Sequence, residues 1–266
     1  MATCHLNGID IEFEQRGSGP RLLLFNGSGA TIAAVAPLLD KLVEHFEVLV
    51  HDQRCLGGTT VTNDLPTMAD YAADGAALLD HAGWPTALVM GISFGGMVAQ
   101  EFAVTWPERV ERLALLCTSP GGDGGSSYPL HTISSMPQAE QDGLRLTLMD
   151  RRYTREFLAE HPFDQLLVDL AITGRAAPKS DLRRRGEELQ LLARAGHDVW
   201  DRLPQITCPT LVACGAFDAL APPDNSAAIA SRIVGSEERR YQGGHGFLWQ
   251  DRSALPDIVS FLLAGC

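Results

Sequence analysis

Three side chains, far apart in the sequence, have the types that nucleophilic acyl chemistry needs. Ser93 lies in Gly91-Ile92-Ser93-Phe94-Gly95, a Gly-x-Ser-x-Gly pattern. A serine hydroxyl is a poor nucleophile until a base takes its proton and a third group orients that base. Of the eight histidines, His245 has the most suggestive setting: in "YQGGHGFLWQ" it follows a strand-like run and is ringed by Gly243, Gly244 and Gly246. His5, His45, His51 and His81 fall on early strands or helix ends, and His131, His161 and His197 fall in a helical middle stretch. The acid of such a set sits between Ser and His in chain order. Asp218 in "LVACGAFDALAPPD" fits, just beyond an apolar run. Asp224 is a rival better placed to start the next helix, and Asp123, after the run ending near Thr118, is a second rival.

The bare serine pattern is weak, and the competing reading makes Ser93 an N-cap in a tight turn. Its position decides between the readings. "ALVMG" has the character of a buried strand, and an apolar helix begins at Phe94. A sharp strand-to-helix turn there presents the hydroxyl at the carboxyl edge of a sheet and at the positive end of a helix.

The surrounding elements must therefore form a sheet. "TCHLNG" and "IDIEFEQRG", joined at Asn7-Gly8, read as a hairpin. "RLLLFN", "EVLVHD", "TALVMG", "VERLALLCTSP", "CPTLVACG" and "ERRYQ" read as strands. Between them run helical patterns: Ile32–Phe46, a helix capped by Thr67 and ended by Gly83, the helix from Phe94, one near "PDNSAAIASRI", and the closing "ALPDIVSFLLAG". Strands apolar on both faces, alternating with helices, indicate a mostly parallel sheet covered on both sides. The rhythm breaks between Gly121 and Gln205, where "MPQAEQDGLRLTLMD", "TREFLAEHPFDQLLVDLAI" and "KSDLRRRGEELQLLARAGHD" are all helical. The expected organisation is a core of residues 1–120 and 206–266, interrupted by a helical cap of residues 121–205.

Composition narrows the classes of partner. The 266 residues carry a formal charge of −12, which argues against a nucleic acid and against an anionic membrane surface. There is no signal-like amino terminus and no apolar run of spanning length, so a cytoplasmic location is expected. Six cysteines at irregular spacing read as reduced thiols rather than a disulfide framework. No histidine pair has metal-ligand spacing, and "GSGPRLLLFNGSGAT" matches neither phosphate-binding glycine pattern, so no cofactor is expected.

With Ser93, Asp218 and His245 in this order, the chain resembles the α/β-hydrolase superfamily along nearly its whole length. "GISFGGMVAQEFAVTWPERVERLALLCTSP" is similar to its capped esterase, enol-lactonase and C–C hydrolase group. The resemblance implies an eight-stranded, mostly parallel sheet, a Ser-Asp-His triad and a cap inserted after the sixth strand. It also implies an oxyanion hole. The group's His-Gly-x-Gly reads here Asn26-Gly27-Ser28-Gly29, so the backbone N–H groups of Ser28 and Phe94 are the candidate donors. A second departure is "HDQRCLGGTT", where Cys55 stands in place of a glycine; Asp52 and Arg54 are expected to hold that turn. His197, in "AGHDVWDRLPQI", is expected to be structural. The implied activity is hydrolysis of a small ester, lactone or thioester with an apolar acyl part. C–C bond hydrolysis, cofactor-free perhydrolase chemistry and a low-turnover small-molecule receptor are the alternatives. A monomer and a homodimer fit the sequence equally well.

Overall fold

Asn7 and Gly8 both adopt positive φ, 51° and 75°, the geometry a two-residue hairpin requires. They join β1 (Ala2–Leu6) to β2 (Ile9–Gly17) in antiparallel register. The computed structural model describes residues 1–176 and 178–265. The chain continues through β3 (Arg21–Phe25), α1 (Ala36–Leu42), β4 (Glu47–His51), α2 (Met68–His81), β5 (Ala87–Ile92), α3 (Phe94–Thr105) and β6 (Val110–Leu116). Then come α4 (Gln138–Met149), α5 (Arg155–Glu160), α6 (Pro162–Ala176) and α7 (Asp181–Ala195). The remainder is β7 (Thr210–Gly215), α8 (Pro223–Arg232), β8 (Glu237–Tyr241), α9 (Phe247–Gln250) and α10 (Ala254–Leu263).

The eight strands form one sheet in the order β1-β2-β4-β3-β5-β6-β7-β8. β2 pairs antiparallel with both neighbours and every later pairing is parallel. Alternation along β3 shows how the sheet is buried. Leu23 and Phe25 join the layer beneath α2 and α3, while Leu22 and Leu24 join the layer beneath α1 and α10. All four are fully buried, and each such side chain stabilises the fold by about 2 kcal/mol through its removal from water. β3 lies between β4 and β5, so its connection and that of β5 leave toward opposite faces. Such a switch in strand order opens a crevice at the carboxyl ends of the two strands, where Asn26 and Ser93 stand.

Local signals account for most boundaries. Thr67 caps α2 by accepting from the Asp70 N–H at 3.2 Å, and Asp70 accepts from the Thr67 N–H at 2.7 Å. Gly83 follows the helix with φ of 68°. The helix expected over Ile32–Phe46 is shorter, covering only Ala36–Leu42. Pro37 fits only a first turn, and the preceding Ile32 N–H is committed to Asp52 at 2.7 Å. The single helix expected over 154–172 divides at Pro162, which begins α6.

Between β6 and β7 the described residues contain four α-helices and no strand, only an isolated bridge between Gly121 and Asp198. Ile133 and Leu148 from this stretch pack with Leu220 from the loop after β7. Cys4, Cys55, Cys117, Cys208 and Cys214 are free thiols, and Cys266 lies outside the described residues. No described helix is long and apolar enough to cross a membrane.

Candidate active site

Ser93 links β5 to α3 with φ of 56° and ψ of −114°, a conformation that costs a non-glycine residue about 1–3 kcal/mol. The turn is held from both sides. The Ser93 N–H donates to the Leu116 carbonyl at 2.8 Å, and the Ser93 carbonyl accepts from the Gly96 N–H at 2.9 Å and from the Thr118 hydroxyl at 2.8 Å. The glycines around it serve close approach. A Cβ on Gly95 would lie 2.0 Å from the Phe25 carbonyl oxygen, and one on Gly91 would lie 2.4 Å from that of Gly95. Their absence lets α3 sit directly on β3 and β5.

The structure brings the three expected side chains together. The Ser93 Oγ is 2.9 Å from His245 Nε2, and His245 Nδ1 is 2.7 Å from Asp218 Oδ2. Asp218 is fully buried, and its Oδ1 accepts from the N–H groups of Leu220 (2.8 Å) and Ala221 (2.9 Å). A carboxylate has no proton to give, so His245 Nδ1 donates to it and Nε2 turns a lone pair toward the serine. Asp224 is in the first turn of α8 and Asp123 is exposed in a short turn after β6. Neither makes a hydrogen bond to His245.

A short stretch at the end of α4 braces both loops that carry these groups. Leu148 accepts from the Ala219 N–H at 3.2 Å, Met149 accepts from the His245 N–H at 2.6 Å, and the Arg151 N–H donates to Phe217 at 2.9 Å. Gly244 must lack a side chain there, since its Cβ would fall 2.0 Å from the Met149 carbonyl oxygen. Gln250 adds a second brace: its Oε1 accepts from the Gly244 N–H at 2.8 Å, while its Nε2 donates to Asp150 (2.9 Å) and Asp164 (2.7 Å). None of this was visible in the sequence, because every contact but the one between Gly244 and Gln250 joins residues about 70 to 100 positions apart with no local pattern to mark it.

The loop after β3 faces the serine. A Cβ on Gly27 would touch Ser93 Cβ at 3.7 Å, so the backbone passes beside the nucleophile. Among the described residues, the N–H groups of Ser28 and Phe94 donate to no protein acceptor. The loop is tied down elsewhere. The Gly29 N–H donates to Gln190 Oε1 at 2.7 Å, Gln53 Nε2 donates to the Asn26 carbonyl at 2.5 Å, and the Asn26 side chain is buried without a partner. Gln190 was missed in the sequence, although a polar residue among the buried positions of α7 was a usable signal. Asp52 and Arg54 hold the neighbouring turn as expected. Asp52 accepts from the N–H groups of Ile32 and Gly58, and Arg54 forms a buried bidentate pair with Asp74 at 2.9 and 2.7 Å. Burial pushes the Asp52 carboxyl above its ordinary range. Cys55 takes φ of 73°, the backbone region a glycine would occupy without strain.

Above Ser93 lies a cavity of about 380 Å³, lined by Ser28, Ser93 and His245 together with Leu148, Leu220 and Trp249. A smaller one of about 180 Å³ adjoins it and shares Arg145, Met149, Gly246 and Trp249. Leu148 lines the larger cavity, Leu146 and Leu167 the smaller, and Met149 both. Phe163 and Leu166 are exposed.

Comparison with known proteins agrees with this architecture. The family model of the alpha/beta hydrolase fold matches residues 20–251, and the chain belongs to that family. A poly(3-hydroxyalkanoate) depolymerase of Ectopseudomonas oleovorans is 30% identical over 98% of this chain and 91% of its own length. Among solved structures, a thermophilic esterase of Thermogutta terrifontis is 27% identical with a TM-score of 0.77, covering 98% of this chain and 96% of that one. The enol-lactonase of Burkholderia xenovorans LB400 has a TM-score of 0.80 at 20% identity, covering 98% and 99%. That last likeness is one of fold.

Proposed function

We propose that the protein is a serine hydrolase of small carboxylic esters, lactones or thioesters, acting through an acyl-enzyme. The observation that carries this reading is the continuous chain of hydrogen bonds from Ser93 through His245 to Asp218, at 2.9 and 2.7 Å. Ser93 attacks the carbonyl carbon while His245 Nε2 takes its proton, and Asp218 holds the tautomer and stabilises the imidazolium. The N–H groups of Ser28 and Phe94 receive the developing oxyanion, the latter at the positive end of α3. His245 returns the proton to the leaving group, and water repeats the cycle on the acyl-enzyme. Residues 121–205 act as a cap over a core of 1–120 and 206–266, and their Leu148 and Met149 give the acyl side of the cavity its apolar wall. The name of one similar protein, a thermophilic esterase 27% identical to this chain, supports this class of bond.

Fluorophosphonate labelling combined with p-nitrophenyl ester kinetics tests the assignment. Wild type labels at one site and turns over, whereas Ser93→Ala does neither; equal labelling of the two proteins rules the nucleophile out. A chain-length series of esters and lactones then ranks the acyl groups that fit.

A further inference from the structure

Three residues on one face of α7, spaced four apart, touch the rest of the protein in succession. Gly186 lets the helix approach the Cys55 carbonyl, Gln190 receives the Gly29 N–H, and Arg194 Nη1 donates to the Tyr128 carbonyl at 2.8 Å. Arg194 differs from the other two in carrying a charge. It is only 6% exposed, and no carboxylate pairs with it among the described residues. Burial pulls its guanidinium down to about 10, with no acidic neighbour raising it. An isolated buried cation is costly, and a lone carbonyl acceptor uses one of its five donors.

Arg194 borders a cavity of about 260 Å³ that shares no lining residue with the one above Ser93. In a chain of net charge −12, its wall contains no Asp or Glu. The polar groups that do face it can donate. From behind that wall Asn225 Nδ2 donates to Ser119 Oγ at 2.7 Å, and Ser119 Oγ lies 2.6 Å from Ser127 Oγ. Whichever hydroxyl of that pair donates to the other, one hydroxyl hydrogen remains without an acceptor among the described residues. His197, also 6% exposed, has neither ring nitrogen in a well-formed hydrogen bond. Burial pulls it down to about 3, against a raising contact with the Ser119 backbone, so at neutral pH the ring adds no charge to the wall.

We propose that this cavity is a second, non-catalytic site that binds a small oxyanion, a carboxylate or a phosphate, through Arg194 and the Ser119–Ser127 hydroxyl pair. The ligand supplies the counter-charge that the buried guanidinium lacks. The inference does not depend on the chemistry assigned to Ser93. The site abuts the back of the nucleophile turn, since its lining residue Met97 donates its N–H to the Ser93 carbonyl at 3.2 Å.

Calorimetric titration of the full chain with inorganic phosphate and, separately, with acetate, at constant ionic strength, tests it. Wild type and Ser93→Ala bind at least one of the two saturably at one site, with equal affinity. Arg194→Gln weakens that binding tenfold or more. Ala195→Phe, which fills the cavity from its exposed edge while keeping the guanidinium, does the same and covers the case in which Arg194→Gln fails to fold. Binding of phosphate alone identifies an inorganic oxyanion as the ligand, and binding of acetate alone identifies an organic acid. No saturable binding of either, or binding that survives both substitutions, overturns the proposal.

Discussion

Asp218→Asn isolates the proposed role of the acid from its role in packing. The two oxygens of Asp218 have different partners: Oδ1 accepts two backbone N–H groups at 2.8 and 2.9 Å, and Oδ2 faces His245 Nδ1 at 2.7 Å. An asparagine keeps its oxygen with the two amides, because turning it round would aim its NH₂ at two donors. The NH₂ therefore faces Nδ1, which must accept rather than donate. The imidazole proton moves to Nε2 and points at Ser93 Oγ, where a lone pair is needed. A base held in the wrong tautomer costs on the order of 10⁴ in kcat, or about 5 kcal/mol of transition-state stabilisation. KM changes little, since residue 218 lies behind the imidazole. The assay is p-nitrophenyl ester turnover with fluorophosphonate labelling as a second readout of serine reactivity, and circular dichroism verifies the fold. A folded Asp218→Asn protein within tenfold of wild-type kcat refutes the tautomer argument and returns the acid's role to another carboxylate.

Gly95→Ala places a methyl 2.0 Å from the Phe25 carbonyl oxygen and costs roughly 2–4 kcal/mol of stability, read as a large fall in Tm. Gly143→Ala, with open space around the position in α4, instead adds about 0.5–1 kcal/mol; comparable effects of the two would discredit the close-approach argument. Gln250→Leu strands the Gly244 N–H and removes a donor from Asp150 and Asp164. It lowers kcat about 10–100-fold with KM nearly unchanged, on the scale of a lost buried hydrogen bond to a charged group. Fully buried His51, with its ring nitrogens unpartnered, is pulled down to about 4 by burial. Between the ordinary histidine value of 6.5 and 4 the unfolded chain takes up a proton that the folded chain refuses. Stability present above pH 6.5 is therefore lost as pH falls through that window, on the order of 3 kcal/mol in total. His51→Leu flattens this limb in denaturant titrations across pH, and an unchanged slope would count against it.

The site was legible in the sequence wherever chemistry imposes a local signature. The turn at Ser93 needs glycines at fixed offsets, His245 needs a loop that can approach another backbone, and Asp218 needs the end of a strand; all three marks are short-range. Element types were legible for the same reason, through the continuous apolar run of β3 and the Thr67 cap of α2. The front of α1 was misread because Ile32 has a helical neighbourhood but gives its N–H to Asp52, a choice made by a residue 20 positions away. The break between α5 and α6 was readable from Pro162 and was overlooked. The braces at Met149 and Gln250 carry no local mark, since a backbone carbonyl has no sequence signature and a glutamine on a half-buried helix looks alike whether it faces water or a loop amide.

The stretch from Leu148 to Arg151 bears on how such a protein can be re-engineered. It belongs to the helical stretch between β6 and β7, yet its backbone is hydrogen-bonded to the loops that hold Asp218 and His245. Exchanging that stretch for a foreign one is therefore not a modular swap. A transplant joined downstream of Arg151 inherits the native scaffolding of the two loops, whereas one joined upstream of Leu148 must bring a replacement for three backbone partners.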